Sequence, residues 1–344
     1  MSISKLLSRY KWSKNPFEIV PIRDPELLVG QDEELRRLEA SVMFGGDCVV
    51  EGPYGAGKTS LLRCLETILS EEHIPVYFPR PPVNTRELSW KISNKFNIVE
   101  SLEFYQIYDL IYSSDKKVVL LIDEAHKLDP EIAPYLQDLS DLENTVIVYA
   151  ALDGFYIQRL PEIHKTLYDR VVEVIGISLL TKEEVKEMIK RRIESVGGTD
   201  FYPFTEKAVE MIAEYSQGAP REALKICSSA LIRAIARGIE VINESIVQEV
   251  VSRRPSEIIR KMRTLGSREK EVMRLFLDRE FLTNQDVRNE LKVSSQAAYN
   301  ILARLMEKEL IEAKESDNKG NIYVPKELVK RVLSPEIVEK ILSE

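Results

Sequence analysis

The string Gly52-Pro53-Tyr54-Gly55-Ala56-Gly57-Lys58-Thr59, with Ser60 behind it, has the residue types and spacing to hold a row of phosphates. Gly55 and Gly57 let the backbone curl where a Cβ would obstruct it, so successive N–H groups turn toward one anion. Lys58 carries a cation to the β- and γ-phosphates, and Thr59 offers its hydroxyl to Mg²⁺. Pro53, Tyr54, Ala56 and Ser60 complete the wall of this loop. A second string, Val118-Val119-Leu120-Leu121-Ile122-Asp123-Glu124, sets two carboxylates directly after an unbroken apolar run. Asp123 suits a Mg²⁺ held through water, and Glu124 suits a general base that takes a proton from an attacking water. Together the two strings imply binding and hydrolysis of a nucleoside triphosphate with Mg²⁺.

These side chains need particular elements to position them. Cys48-Val49-Val50 reads as a strand running into the loop, and Leu61, Leu62, Leu65, Ile68 and Leu69 give the helical period that follows. The start of that helix adds free N–H groups and the positive end of its dipole. The run 118–122 suits a strand buried on both faces of a parallel sheet, with its carboxylates at the C-terminal edge where such sheets bind ligands. Further strands are predicted at 74–78, 146–151 and 171–174, and helices from about 85 to 96 and from 101 to 112. Leu28-Val29-Gly30-Gln31 precedes a helix to about Val42, and Val29 and Gly30 are placed to close over a base. Strand, helix, strand, helices, strand, helix, strand over 28–178 predicts an α/β domain with a parallel sheet. His126 turns the acidic string into Asp-Glu-Ala-His, a helicase label. Nothing else of a two-lobed motor follows, so the match reads as coincidence.

A chain of 344 residues is too long for one ordinary core and predicts two or three domains. With 44% hydrophobic and 30% charged residues and no apolar stretch of membrane-spanning length, it reads as a globular protein. The N-terminal residues carry no apolar secretory core, and a cytoplasmic location is the expectation. Cys48, Cys64 and Cys227 lack metal-ligand spacing and read as buried thiols, and the scattered histidines leave Mg²⁺ as the expected metal. A net charge of -8 argues against a basic coat without excluding a local nucleic-acid site. Residues 1–27 form a proline-rich leader whose Trp12 and Phe17 are expected to anchor it on the nucleotide domain. Residues 179–240 read as a helical lid: Thr181 and Glu184 form a capping box, Gly197-Gly198 stop that helix, and Pro220 fits a first-turn position. A basic linker, 241–264, leads to 265–325, where helix, helix, turn, helix and hairpin give the order of a winged helix-turn-helix. A helical tail, 326–344, ends the chain.

The sequence resembles the AAA+ ATPases, and within them the archaeal relatives of the origin-recognition initiators. GPYGAGKT at 52–59, VVLLIDEAHKL at 118–128, GAPREAL at 218–224 in the lid, and the winged helix carry the resemblance over nearly the whole chain. It implies ATP clamped between sheet domain and lid, with Arg221 at the lid position that contacts the γ-phosphate. It also implies a polar first sensor after the strand at 146–151. Asp153 occupies that neighbourhood where an asparagine is usual, and its charge opposes a γ-phosphate unless Mg²⁺ or a basic residue compensates it. Slow hydrolysis is the expectation. An arginine acting on the ATP of a neighbouring subunit is implied before the lid. Arg170 fits best and Arg159 second, so the partner is a second copy or another AAA+ subunit.

The implied function is a nucleotide-dependent switch or slow motor acting on duplex DNA. A transposition- or secretion-associated helper ATPase, whose N-terminal Asn-Pro-Phe resembles residues 15–17, is an alternative. A signalling ATPase whose winged helix makes protein contacts is another. For DNA, Ser295, Gln296, Tyr299 and Asn300 are expected on the exposed start of the recognition helix, able to meet base edges or phosphates. Arg304, Lys308, Lys314 and Lys319 are expected on phosphates, joined by Arg253, Arg254, Arg260 and Lys261 of the linker.

Overall fold

The computed structural model describes residues 10–100, 102–252, 258, 261–316, 320–330 and 333. Arg253, Arg254, Arg260 and Lys319, and the tail beyond 333, lie outside the described residues. The chain divides into two compact units, residues 1–247 and 248–344.

The first unit is built on a parallel sheet. β1 (Asp47–Glu51), β2 (Ile74–Phe78), β3 (Val118–Ile122), β4 (Thr145–Ala151) and β5 (Val171–Gly176) lie in the order β2-β3-β4-β1-β5, every neighbouring pair parallel. Helices cover both faces, so β3 and β4 are buried at every residue and show no alternation. The edge strand β5 alternates partly exposed and exposed residues over its first four positions, with Ile175 buried and Gly176 exposed at its end. One face packs Val49, Leu120 and Ile147 beneath α3 (Thr85–Lys95), α4 (Phe104–Tyr112) and α5 (Ala133–Ser140). The other packs Cys48, Val50 and Val148 beneath α1 (Asp32–Phe44) and α2 (Lys58–Leu69). α4 begins at Phe104, three residues later than its period suggested, with Glu103 at its N-cap. A short helix, α6 (Lys165–Arg170), runs into β5.

Parallel strands put β1 and β3 with their C-terminal ends at one edge, one strand apart. The phosphate loop and the acidic pair therefore face each other across β4. The exit of β1 is tight. Ile177 N–H donates to Glu51 O, and a Cβ on Gly52 would stand 2.5 Å from Ile177 O. Only glycine passes there.

Three further helices form the lid: α7 (Lys182–Glu194), α8 (Glu206–Ser216) and α9 (Pro220–Ala236). The capping box at Thr181 and Glu184 is present, and Thr205 caps α8. The leader corrects one expectation: Trp12 and Phe17 seat on the lid and not on the sheet domain. Trp12 lies 6.0 Å from Phe17, which lies 5.5 Å from Phe204. Ser13 N–H donates to Val196 O at 2.8 Å, and Ser228 Oγ donates to Phe17 O at 2.8 Å. The reason is area. Both faces of the sheet are already covered by their own helices, whereas the small lid leaves Phe204 and Val196 in need of cover. Arg192, buried in this contact, donates to Pro16 O and Glu18 O, and burial pushes its pKa down. The neighbouring Arg191 donates to Glu26 O and Leu28 O, so α7 grips the leader up to the segment that enters the nucleotide edge.

The second unit contains α10 (Ser267–Leu275), β6 (Leu282–Thr283), α11 (Asn284–Leu291), α12 (Ser295–Glu307), β7 (Ile311–Ser316) and β8 (Gly320–Pro325). The strands pair antiparallel in the order β6-β8-β7. Val272, Val287, Ala298, Leu302, Leu305 and Leu310 form its core, which gives the winged helix. β6 is too short for a period to reveal it, and its Thr283 also caps α11 with Asp286. The cysteines are free and buried, and burial pushes their thiols up. Among the described residues, no helix is long and apolar enough to cross a membrane.

Candidate active site and nucleic-acid interface

The phosphate loop turns at two left-handed glycines, Gly55 at φ +83° and Gly57 at φ +111°, the second serving as N-cap of α2. A Cβ at Gly57 would lie 3.0 Å from Gln31 Nε2, while nothing crowds Gly55. Lys58 opens α2 with 8% of its surface exposed, and its Nζ donates to Gly52 O at 2.6 Å and Pro53 O at 2.9 Å. Burial lowers its pKa. Asp153, Glu124 and Asp123 oppose that shift, and Arg221 adds to it. The Asp153 carboxylate thus acts on the loop lysine together with those of Glu124 and Asp123. Ala56 is buried and Ser60 stands half-buried in the first turn of α2.

Asp123 is 3% exposed and accepts three hydrogen bonds. Thr59 Oγ1 donates to its Oδ2 at 2.7 Å, Tyr77 O–H to the same oxygen at 3.0 Å, and Glu124 N–H to Oδ1 at 2.8 Å. The hydroxyl and carboxylate expected at Mg²⁺ thus already touch. Glu124 sits at φ +53°, a strained value for a residue with a Cβ. Its Oε2 pairs with Lys127 Nζ at 2.8 Å and lies 3.6 Å from His126 Nε2. Burial pushes the Glu124 pKa up, but Lys127, His126 and Lys58 outweigh it and hold the carboxyl below its usual range. Burial lowers the pKa of His126 and favours the neutral ring. The residue whose neighbours spell a helicase label therefore stands beside the candidate base.

The lid closes on this edge. Pro220 occupies the first turn of α9, and Arg221 after it reaches Tyr54 of the phosphate loop. Gly218, at φ +79°, lets Leu180 N–H donate to its carbonyl at 2.9 Å; a Cβ there would stand 2.1 Å from Leu180 O. We expect Gly218→Ala to destabilise the protein by about 1–3 kcal/mol, since backbone strain and overlap act together. Thermal unfolding reads this, and an unchanged midpoint rejects the role given to this contact. Val29 is buried, and Gly30, at φ +71°, is pressed against α7, where a Cβ would lie 2.7 Å from Glu184 Oε1.

Two residues of this edge went unread in the sequence. Gln31, 2% exposed, donates from Nε2 to Ala56 O at 2.7 Å, and its Oε1 is buried without a partner. Tyr77 steadies Asp123 and lies under Arg63, whose Cζ is 4.1 Å from its ring centroid. The available signal was weak: a polar residue directly after Gly30, and a tyrosine in an otherwise apolar strand.

The residues fit a nucleoside triphosphate with Mg²⁺. The loop is open at Gly55, a buried ammonium is held by carbonyls alone, and a buried carboxylate shares a hydroxyl. Among the described residues no group of three histidine, cysteine or acidic side chains could hold another metal.

Arg170 differs from its expected posture. Its Nη1 donates to Ser140 O at 2.7 Å and its Nη2 pairs with Asp141, so it caps the end of α5 within its own chain. Arg159 is half exposed, with Glu162 at 4.0 Å, and is the less restrained of the two.

On the winged helix, Ser295, Gln296, Tyr299 and Asn300 are exposed along the start of α12. Ser295 Oγ donates to Asn284 Oδ1 at 3.0 Å, and Gln296 Nε2 to Asn300 Oδ1 at 3.2 Å. Arg304 is exposed one turn further on. Lys308 corrects an expectation. It pairs at 2.6 Å with Glu269, itself 6% exposed, and braces α12 against α10. Lys261 pairs with Glu309 at 2.9 Å and Lys314 with Glu312 at 3.1 Å. Those two pairs are exposed enough to exchange a carboxylate for a phosphate at little cost.

Comparison with known proteins places these features in a wider group. Residues 45–155 match the family model described as an AAA domain. An uncharacterized HTH-type transcriptional regulator of Methanocaldococcus jannaschii is 24% identical, over 77% of this chain and 82% of its own length. General secretion pathway protein A of Aeromonas hydrophila is 29% identical over 66% of this chain, and the match spans 44% of that protein. Among solved structures, the ORC2 protein of Aeropyrum pernix, in ADPNP–ADP complexes, has the same fold at a TM-score of 0.58. It is 17% identical, with 96% of this chain and 98% of that one covered.

Proposed function

We propose that this chain, which has the AAA+ fold of the archaeal ORC2 protein, is an ATP-driven switch that hydrolyses ATP slowly and acts on duplex DNA. The observation that carries the reading is Arg221 lying on the phosphate loop, because it joins the lid to the place where a γ-phosphate would be distinguished from its absence. Lys58 would exchange its two backbone carbonyls for phosphate oxygens. Mg²⁺ held by Thr59 and Asp123 supplies charge compensation when bound. Glu124, released from Lys127, accepts a proton from the attacking water. Arg221 draws the lid down while the γ-phosphate is present and lets it go afterwards. Asp153, beside Lys58, offsets part of the loop's positive charge, which favours a slow turnover.

DNA enters through the winged helix. Ser295, Gln296, Tyr299 and Asn300 face outward, and Arg304, Lys314 and Lys261 supply cations, with Arg253, Arg254, Arg260 and Lys319 adding charge. The HTH-type relative supports this reading. Assembly with a second copy or another AAA+ subunit would bring Arg159 or Arg170 to a neighbour's ATP. Arg159 is preferred, because Arg170 already caps α5.

The test is phosphate release by the full-length protein from ATP and Mg²⁺, with and without duplex DNA at about 50 mM salt. DNA is expected to change the rate. Replacing Arg253, Arg254 and Lys261 by alanine is expected to remove that change and leave basal release intact. No release, or release indifferent to DNA, rejects the reading. The second of these outcomes favours a secretion-associated helper ATPase, the reading supported by the Aeromonas relative.

A further inference from the structure

We infer that Tyr54, inside the phosphate loop, is a positioning residue that holds Arg221 over the loop; the inference rests on the ATP-switch reading above. Two contacts of different kinds carry it. Arg221 Nη1 donates to the Tyr54 hydroxyl, and Arg221 Cζ lies 5.0 Å from the Tyr54 ring centroid. The guanidinium therefore covers the outer part of the ring and its oxygen together.

The loop presents the ring for this purpose. Pro53 fixes the backbone before Tyr54, and the left-handed turn at Gly55 follows directly. The side chain stands out of the loop with 59% of its surface exposed. Its hydrogen bond and its ring contact both go to Arg221 of the lid.

The chemistry of the partner matters. A carboxylate at this position would hold arginine more firmly, but it would set a negative charge on a loop that receives phosphates. A phenol is neutral. It attracts the cation through its ring face and accepts one hydrogen bond, without repelling the anion. A guanidinium has several N–H donors in one plane, so Arg221 retains others for phosphate oxygens while Tyr54 holds it. Its charge already reaches Lys58.

The contact raises the fraction of molecules whose lid arginine is in place, and apparent affinity follows that fraction. The benefit belongs to a triphosphate and not to a diphosphate, because the group Arg221 meets is the γ-phosphate. Tyr54 thus sharpens the distinction between ATP and ADP without touching either base.

The experiment measures binding of fluorescent N-methylanthraniloyl derivatives of ATPγS and ADP, with Mg²⁺, to full-length protein. Parent, Tyr54→Ala, Tyr54→Phe, Arg221→Ala and the Tyr54→Ala/Arg221→Ala double variant are compared. Tyr54→Ala is expected to weaken ATPγS about five-fold, the size of an exposed cation–π contact, and ADP less than about two-fold. Tyr54→Phe keeps the ring and recovers part of the loss. In the Arg221→Ala background, Tyr54→Ala adds nothing further, because the two residues act through one contact.

Equal weakening of both nucleotides by Tyr54→Ala overturns the inference and points to a damaged loop. A Tyr54→Ala effect that persists without Arg221 also overturns it. Failure of the switch reading looks different. There Arg221→Ala itself leaves the preference for ATPγS over ADP unchanged, and the inference falls with it.

Discussion

Lys58→Ala loses nucleotide affinity while the protein stays folded. The ammonium is buried and is held by Gly52 O and Pro53 O, an arrangement that concentrates positive charge inside a ring of backbone. Truncating one partner of a buried, hydrogen-bonded charge pair costs about 2–5 kcal/mol. That corresponds to an affinity loss of roughly thirty-fold to several thousand-fold. The fold should survive, because alanine is the best helix former at the start of α2 and the core leucines behind it are untouched. Titration with a fluorescent ATP analogue reads the loss, and thermal unfolding checks the fold. Affinity within about three-fold of the parent, in a folded variant, removes the phosphate role from Lys58.

Glu124→Gln retains ATP binding and loses turnover. The amide has nearly the shape of the carboxylate and can occupy the same left-handed backbone position, but it cannot accept the proton of an attacking water. General-base catalysis contributes about 10²–10⁴-fold, so phosphate release should fall by that factor. The contact with Lys127 weakens as well, because the pair loses its charge. If Glu124 is not the base, loss of this contact leaves release at or above the parent rate. Phosphate release under saturating ATP separates the two outcomes, and a rate equal to that of the parent excludes Glu124 as the base.

Much of this site can be read from neighbouring residues. Gly55, Gly57, Lys58 and Thr59 act through one turn of backbone, so their chemistry is contained in eight consecutive positions. Asp123 and Glu124 end a strand whose apolar run reports burial on both faces, and a parallel sheet brings that end beside the loop whatever lies between. The capping boxes at Thr181 and Thr283 are equally local and gave helix starts where they occur. The α/β domain, the lid and the winged helix follow from the order of such signals.

Tertiary structure alone decided which distant residues meet. Trp12 and Phe17 needed an apolar surface, and only packing showed that the lid had one uncovered and the sheet did not. Asp153 is remote from Lys58 in sequence, and only the fold lets its charge favour the charged form of that lysine. Arg170 and Arg159 are alike as residue types, and the carbonyl end of α5 separates them by occupying the first. Gln31 and Tyr77 carry no motif, and Tyr54 fills a variable position of one, since each acts through contacts with residues remote in sequence. The physical reason is common to all of them. Backbone conformation and period depend on near neighbours, so sequence by itself determines them. The partner of a polar or aromatic side chain depends on which surfaces folding leaves open, and one residue type suits many partners.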